Sequence, residues 1–270
     1  MPAAELTRLR TQINGLIQVF DDPNGFQTAL RDLFEMYADL AYRPGQTVLQ
    51  QSLLPTYRVP KLVMRQLELE LGRTCRERPN DALKIVDVLW HDPYLEPRQL
   101  STILLGTIPA SHSQLVVEKI QQWAQPEENS RIVDSLFQNG TATLRQAAPR
   151  QLLALIEEWL SSTRSGIQVL GIRAVVPIVR DLAFENLPPI YRMLGPLLQS
   201  PTSALQTDLQ IAIETLARRS PMETVYFLRQ TLSISSTPAT SRLIRRCLPA
   251  FEPAQQTSLR AALQAASQDE

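Results

Sequence analysis

The sequence predicts an all-α protein, an α-α superhelix (solenoid) in which pairs of helices repeat along the chain, and three observations predict it. Most of the 20 prolines fall between apolar-periodic segments, as in YRVPK, HDPYLEP, AQPEEN, ENLPP, QSPTS and RRSPM. There a proline starts or stops a helix without interrupting one. Sustained period-two alternation is missing, and the one Asn-Gly-Thr, at Asn139, stands between helical patterns and not between strands. Third, a two-helix phrase recurs: an apolar-periodic helix ending in a large residue, a short polar turn, then a second helix.

Taken in chain order, residues 1–56 open with two amphipathic helices, LTRLRTQINGLIQVF and FQTALRDLFEMYADLAY, which should cap the array. The repeat region spans residues 57–250. Its five phrases are ALKIVDVLWHDPYLEPRQLSTILL, VVEKIQQWAQPEENSRIVDSLF, LLALIEEWLSSTRSGIQVLGIRAVV, YRMLGPLLQSPTSALQTDLQIAIETL and YFLRQTLSISSTPATSRLIRRCL. The large residues at their hinges are Trp90, Trp123, Trp159, Leu198 and Leu232, giving steps of 33, 36, 39 and 34 residues. A period in that range with two helices per unit is that of a solenoid, where each pair buries its face on the next. The three tryptophans hold equivalent places and read as core rings packed under each turn. Residues 251–270 carry a last helix with a frayed acidic end, so the chain is expected to form one repeat domain over 1–270.

Composition excludes several function classes. Hydrophobic residues make up 44% and charged residues 20%, which rules out a disordered polyelectrolyte. The formal net charge is zero, so any nucleic-acid surface has to be a local basic face. Cys75 and Cys247 are too far apart in sequence to suggest a disulfide framework, the start MPAAELTRLRTQING has no apolar signal core, and the apolar stretch VLGIRAVVPIV is broken by Arg173. These features lead us to expect a cytoplasmic protein without a membrane partner. There is no P-loop, no GxGxxG, no HExxH and no cysteine pair at zinc spacing, and histidine is limited to His91 and His112. No metal and no small-molecule cofactor are expected.

The segments YRVPKLVMRQLELELGR (57–73), LWHDPYLEPRQLSTILLG (89–106), QWAQPEENSRIVDSLF (122–137) and EWLSSTRSGIQVLGIRAVVPIVRD (158–181) resemble the HEAT-like repeat DNA alkylation-repair family, the AlkD-like DNA glycosylases. The likeness runs from Tyr57 to Asp181 and extends weakly to the fifth phrase. It implies a concave face that grips double-stranded DNA and removes cationic alkylpurines without a deep base pocket. The family places a Trp, and four residues later an Asp, on the helix after the second turn, and an Arg on the corresponding helix of the next unit. Asp134 matches the Asp; Ser130 stands at the aromatic position, and Arg173 lies about one turn beyond the place of the Arg.

That departure bears on the chemistry. Cleavage of an N-glycosidic bond to a cationic base passes through a sugar-centred cation that a carboxylate stabilises, while an aromatic face attracts the charged base. Asp134 supplies the first contribution and Ser130 lacks the second. Asp134 is therefore either a catalytic carboxylate or a helix acid facing water. For binding, the resemblance implies a groove lined by the post-turn helices, which carry Arg98, Arg131, Arg173, Arg180, Arg218, Arg219, Arg242, Arg245 and Arg246. The expectation is an AlkD-like binding protein with a degenerate catalytic motif and double-stranded DNA as partner. The alternatives are a scaffold for a protein or peptide and an active alkylpurine glycosylase.

Overall fold

The computed structural model describes residues 3–38, 54–235 and 237–266, with the side chains of residues 3–6 outside the description. The acidic end at Asp269 and Glu270, and the part of the second capping helix beyond Ala38, lie outside the described residues. Among the described residues every regular element is helical and no strand is present. The chain divides into two compact units, Met1–Ala148 and Pro149–Glu270.

The first unit holds α1 (Ala3–Gln18), α2 (Pro23–Tyr37), α3 (Lys61–Glu77), α4 (Pro79–Trp90), α5 (Leu95–Leu105), α6 (Ser113–Trp123), α7 (Ser130–Ser135) and α8 (Ala142–Ala147), with a π turn at Leu136–Gly140 between the last two. The second holds α9 (Pro149–Leu160), α10 (Ser165–Arg180), α11 (Pro188–Gln199), α12 (Gln206–Arg219), α13 (Pro221–Ile234), α14 (Pro238–Cys247) and α15 (Pro253–Ala266). Seven of these helices begin on a proline, whose missing N–H would be unpaired at that position in any case. Side-chain caps close three starts: Asp22 accepts from Asn24 N, Asn129 from Arg131 N, and Thr237 from Thr240 N.

The hinge residues sit where the phrase pattern puts them. Trp90 and Trp123 are the last residues of α4 and α6, and Trp159, Leu198 and Leu232 lie within the last turns of α9, α11 and α13. All five are buried. Each unit consists of two rows of helices. In the first, α1, α3, α5 and α7 pack side by side, with α2 and α4 in the other row; in the second, α10, α12 and α14 form one row and α9, α11, α13 and α15 the other. The core lies between the rows, built from residues such as Phe20, Phe26, Phe34, Leu67, Leu71, Ile85 and Leu89 in the first unit and Ile178, Leu194, Ile213, Leu228 and Leu243 in the second.

Charge is used inside the first unit as well as on it. Arg98 is buried: its guanidinium lies 4.8 Å from the centre of the Trp90 ring and bonds Glu128 at 2.6 Å. Glu128 also accepts from Asn129 N at 2.7 Å, which fixes the turn from which α7 starts. Asp92, also buried, accepts from Gln27, Arg31 and the Tyr94 amide, tying α2 to the turn between α4 and α5.

Candidate functional site

In the first unit the outward faces of α3, α5 and α7 leave an open groove of about 850 Å³. Helical spacing decides what lines it. On α3, Lys61, Met64, Arg65 and Glu68 stand at i, i+3, i+4 and i+7; on α5, Glu96, Gln99 and Ile103 follow the same rule; on α7, Arg131 and Ser135 are four apart. Arg58, from the segment before α3, and Asn139, from the π turn, complete the polar lining. The groove thus carries four cations, Arg58, Lys61, Arg65 and Arg131, against the carboxylates Glu68 and Glu96. Burial pushes the Glu68 carboxyl above its usual range, against the pull of the Arg65 guanidinium. None of the lining residues is aromatic.

The segment entering α3 is tied to the start of α5. Leu95 N donates to Pro55 O at 2.9 Å, and the buried Glu96 carboxylate accepts from Tyr57 N at 3.0 Å and Arg58 N at 2.7 Å. Tyr57 stacks on Tyr94, ring centres 4.1 Å apart, and leans against Phe34 at 5.5 Å. Arg58 has φ 58°, the one positive value at a non-glycine among the described residues.

The opposite wall depends on a close backbone approach. A Cβ on Gly106 would lie 1.9 Å from Asn139 O, so only glycine allows the end of α5 to meet the π turn. Thr143 Oγ1 donates to Gly106 O at 2.6 Å, and Ser135 Oγ is bonded by Thr102 Oγ1 at 2.7 Å and Asn139 Nδ2 at 3.2 Å. Asp134 and Ser130 are exposed on α7, and neither is among the groove-lining residues, whereas Arg131 on the same short helix is.

The remaining arginines predicted from sequence lie in the second unit. On α10, Arg173 is half-buried and Arg180 exposed. On α12, Arg218 is exposed and sits 3.6 Å from Glu214, while Arg219 donates to the carbonyls of Leu182 and Phe184. On α14, Arg242, Arg245 and Arg246 are exposed together at i, i+3 and i+4, a single basic stripe. Arg98, the first arginine of the post-turn helices, faces the core instead.

Sequence reading missed Arg58, Lys61 and Arg65, because it took its arginines from the helices that follow the hinge turns and α3 precedes the first of these. The spacing RVPKLVMR was the available signal. His91 Nδ1 lies 2.8 Å from Asp87 O and therefore donates to that carbonyl, which occupies one ring nitrogen in the turn after α4. Among the described residues no three His, Cys, Asp or Glu side chains gather as a metal set, and no single helix is long and apolar enough to cross a membrane.

A family model described as DNA alkylation repair enzyme matches residues 54–250, more than half of the chain and the whole of the groove. A search of curated proteins returned no match.

Proposed function

Because the chain belongs to the DNA alkylation repair enzyme family, we propose that it binds double-stranded DNA through the phosphate backbone, with the first-unit groove as its principal contact. The observation that carries this reading is the convergence of Arg58, Lys61, Arg65 and Arg131 on one open groove. Guanidinium and ammonium groups at that density neutralise phosphates and release counterions, which gives sequence-independent affinity. Stacking on an exposed base needs an aromatic face, and the lining offers none, so the groove suits the backbone better than the base. Taken by itself, the second unit offers the arginine stripe of α14, with Arg173 and Arg180 on α10, as candidate phosphate contacts of the same chemistry.

Catalysis turns on other residues, Asp134 and Ser130, which stand on α7 outside the groove lining. A sugar-centred cation formed near α7 would find one carboxylate, Asp134, and no aromatic at Ser130, so base release is at most a trace activity. The four groove cations by themselves correspond to a slope of log K against log salt of about −3 to −4, and any contact from the second unit steepens it. The test is duplex binding at two salt concentrations together with release of base from methylated duplex. Steep salt dependence with little released base is expected; efficient release would make the protein an active glycosylase.

A second reading, a scaffold for a protein partner, draws on an apolar groove of about 520 Å³ in the second unit, where Tyr191 and Phe227 meet the exposed Met222 and Tyr226. Absence of any salt-dependent DNA binding would favour it.

A further inference from the structure

Arg58 combines two features that seldom coincide: a left-handed backbone, which L side chains avoid, and a long cationic side chain lining the groove. Glycine would take φ 58° without strain, so the conformation alone does not call for arginine. What holds the backbone there is also visible. Glu96, on the first turn of α5, is buried, and each of its carboxylate oxygens accepts one of two consecutive amides, Tyr57 N on Oε2 and Arg58 N on Oε1. Consecutive N–H groups converge on one anion where the backbone turns between them, and the positive φ of Arg58 is that turn. The stacked Tyr57 and Tyr94 rings fix the residue before the bend, and Pro60 restricts the residues after it.

We infer that Glu96 is a positioning residue: by clamping the amides of Tyr57 and Arg58 it locks the left-handed bend and so presents the Arg58 guanidinium, beside Lys61 and Arg65, as a preformed seat for a phosphodiester oxygen. The inference rests on the DNA-binding reading and deepens it by naming the group that organises the seat. Glu96 spends its own charge on backbone donors, which explains a carboxylate in a wall meant for anions. A guanidinium held before binding loses less freedom when the phosphate arrives.

The test is a double-mutant cycle on the full chain with Arg58→Gly, Glu96→Gln and the pair, reading duplex affinity and its salt slope. Arg58→Gly keeps the bend and removes the side chain, so the slope should fall by about 1 while the melting temperature holds. Glu96→Gln keeps one acceptor and sets an NH₂ group against the second amide, so binding should weaken in the parent and no further in the Arg58→Gly background. Equal weakening in both backgrounds would mean that Glu96 acts through general folding, and an unchanged slope in Arg58→Gly would take Arg58 off the phosphate; either result overturns the inference. Should Glu96→Gln fail to fold, Glu96→Asp takes its place in the cycle. If the parent binds no duplex, the DNA reading fails, and inorganic phosphate then decides the seat alone. A shift of the Arg58 Nε–H resonance in the parent and none in the Glu96 variant sustains it, and no shift in the parent overturns it.

Discussion

Trp90 and Trp123, 33 residues apart, lie face to face with ring centres 4.5 Å apart and planes within 4°. At this step the hinge residue of one helix pair therefore rests on the hinge residue of the next. Trp90→Ala and Trp123→Ala should each cost about 3 to 5 kcal/mol. The double variant should cost less than the sum, because the second truncation removes a ring whose partner is already gone. Trp123 Nε1 is buried without a hydrogen-bond partner, so Trp123→Phe should be much milder than Trp123→Ala. Trp159→Ala should cost as much as the other two. Urea unfolding of the five variants checks all of this; neutral substitutions with lost ligand binding would make the rings a stacking surface instead.

Asp134 is exposed on a six-residue helix, so Asp134→Asn should leave stability within about 0.5 kcal/mol of the parent. Carboxylate chemistry needs the charge, whereas a hydrogen bond tolerates the amide. Any base release from methylated duplex should disappear in this variant while duplex affinity stays. Release that survives the substitution would remove Asp134 from the chemistry.

Replacing Arg245 and Arg246 together by Ala should weaken DNA binding on all sequences and flatten the salt slope by up to about 2. Both are exposed on α14, so folding should be untouched. A double variant that binds as the parent does at both salt concentrations would place this stripe outside the interface.

Cys75 and Cys247 are buried, and burial pushes both thiols up to about 12. In the unfolded chain a thiol ionises near 8.5. Between those values the native state retains protons that the unfolded state has lost, so stability is complete below about 8.5 and falls as pH rises towards 12. The loss should reach up to about 1.4 kcal/mol per pH unit for each thiol. Burial raises Tyr57 and Tyr191 as well, which adds a loss of the same sign at higher pH. Urea midpoints measured from neutral to strongly alkaline pH should show this decline, and the double Cys→Ala variant should flatten it. The native thiols should also resist alkylation at pH 8.

The helix pairs were legible because each rests on local signals: apolar spacing fixed the buried faces, and prolines marked the starts at Pro79, Pro149, Pro188, Pro221 and Pro238. The groove was less legible. Its cations come from the segment before α3, from α3 itself and from α7, and no single window of sequence holds Arg58 and Arg131 together. Arg98 and Arg131 look alike in sequence, each a few residues past a hinge, yet one lies on Trp90 and pairs with Glu128 while the other lines the groove. Helical phase separates them only once the helix start is known to the residue, and here Glu128 and Asn129 set that start. The left-handed Arg58 carries no local mark at all, since neither glycine nor asparagine stands there; a carboxylate 38 residues away enforces it.

The π turn at Leu136–Gly140 widens one turn of the chain by a residue, so the path through α7, the π turn and α8 depends on how many residues it contains more than on which ones. Removing the exposed Gln138 would change no charge and empty no core, yet it would draw the turn back to ordinary α pitch and swing everything after it by about 100° relative to Asp134. Asn139 would then leave Ser135, and its carbonyl would leave the slot opened by Gly106.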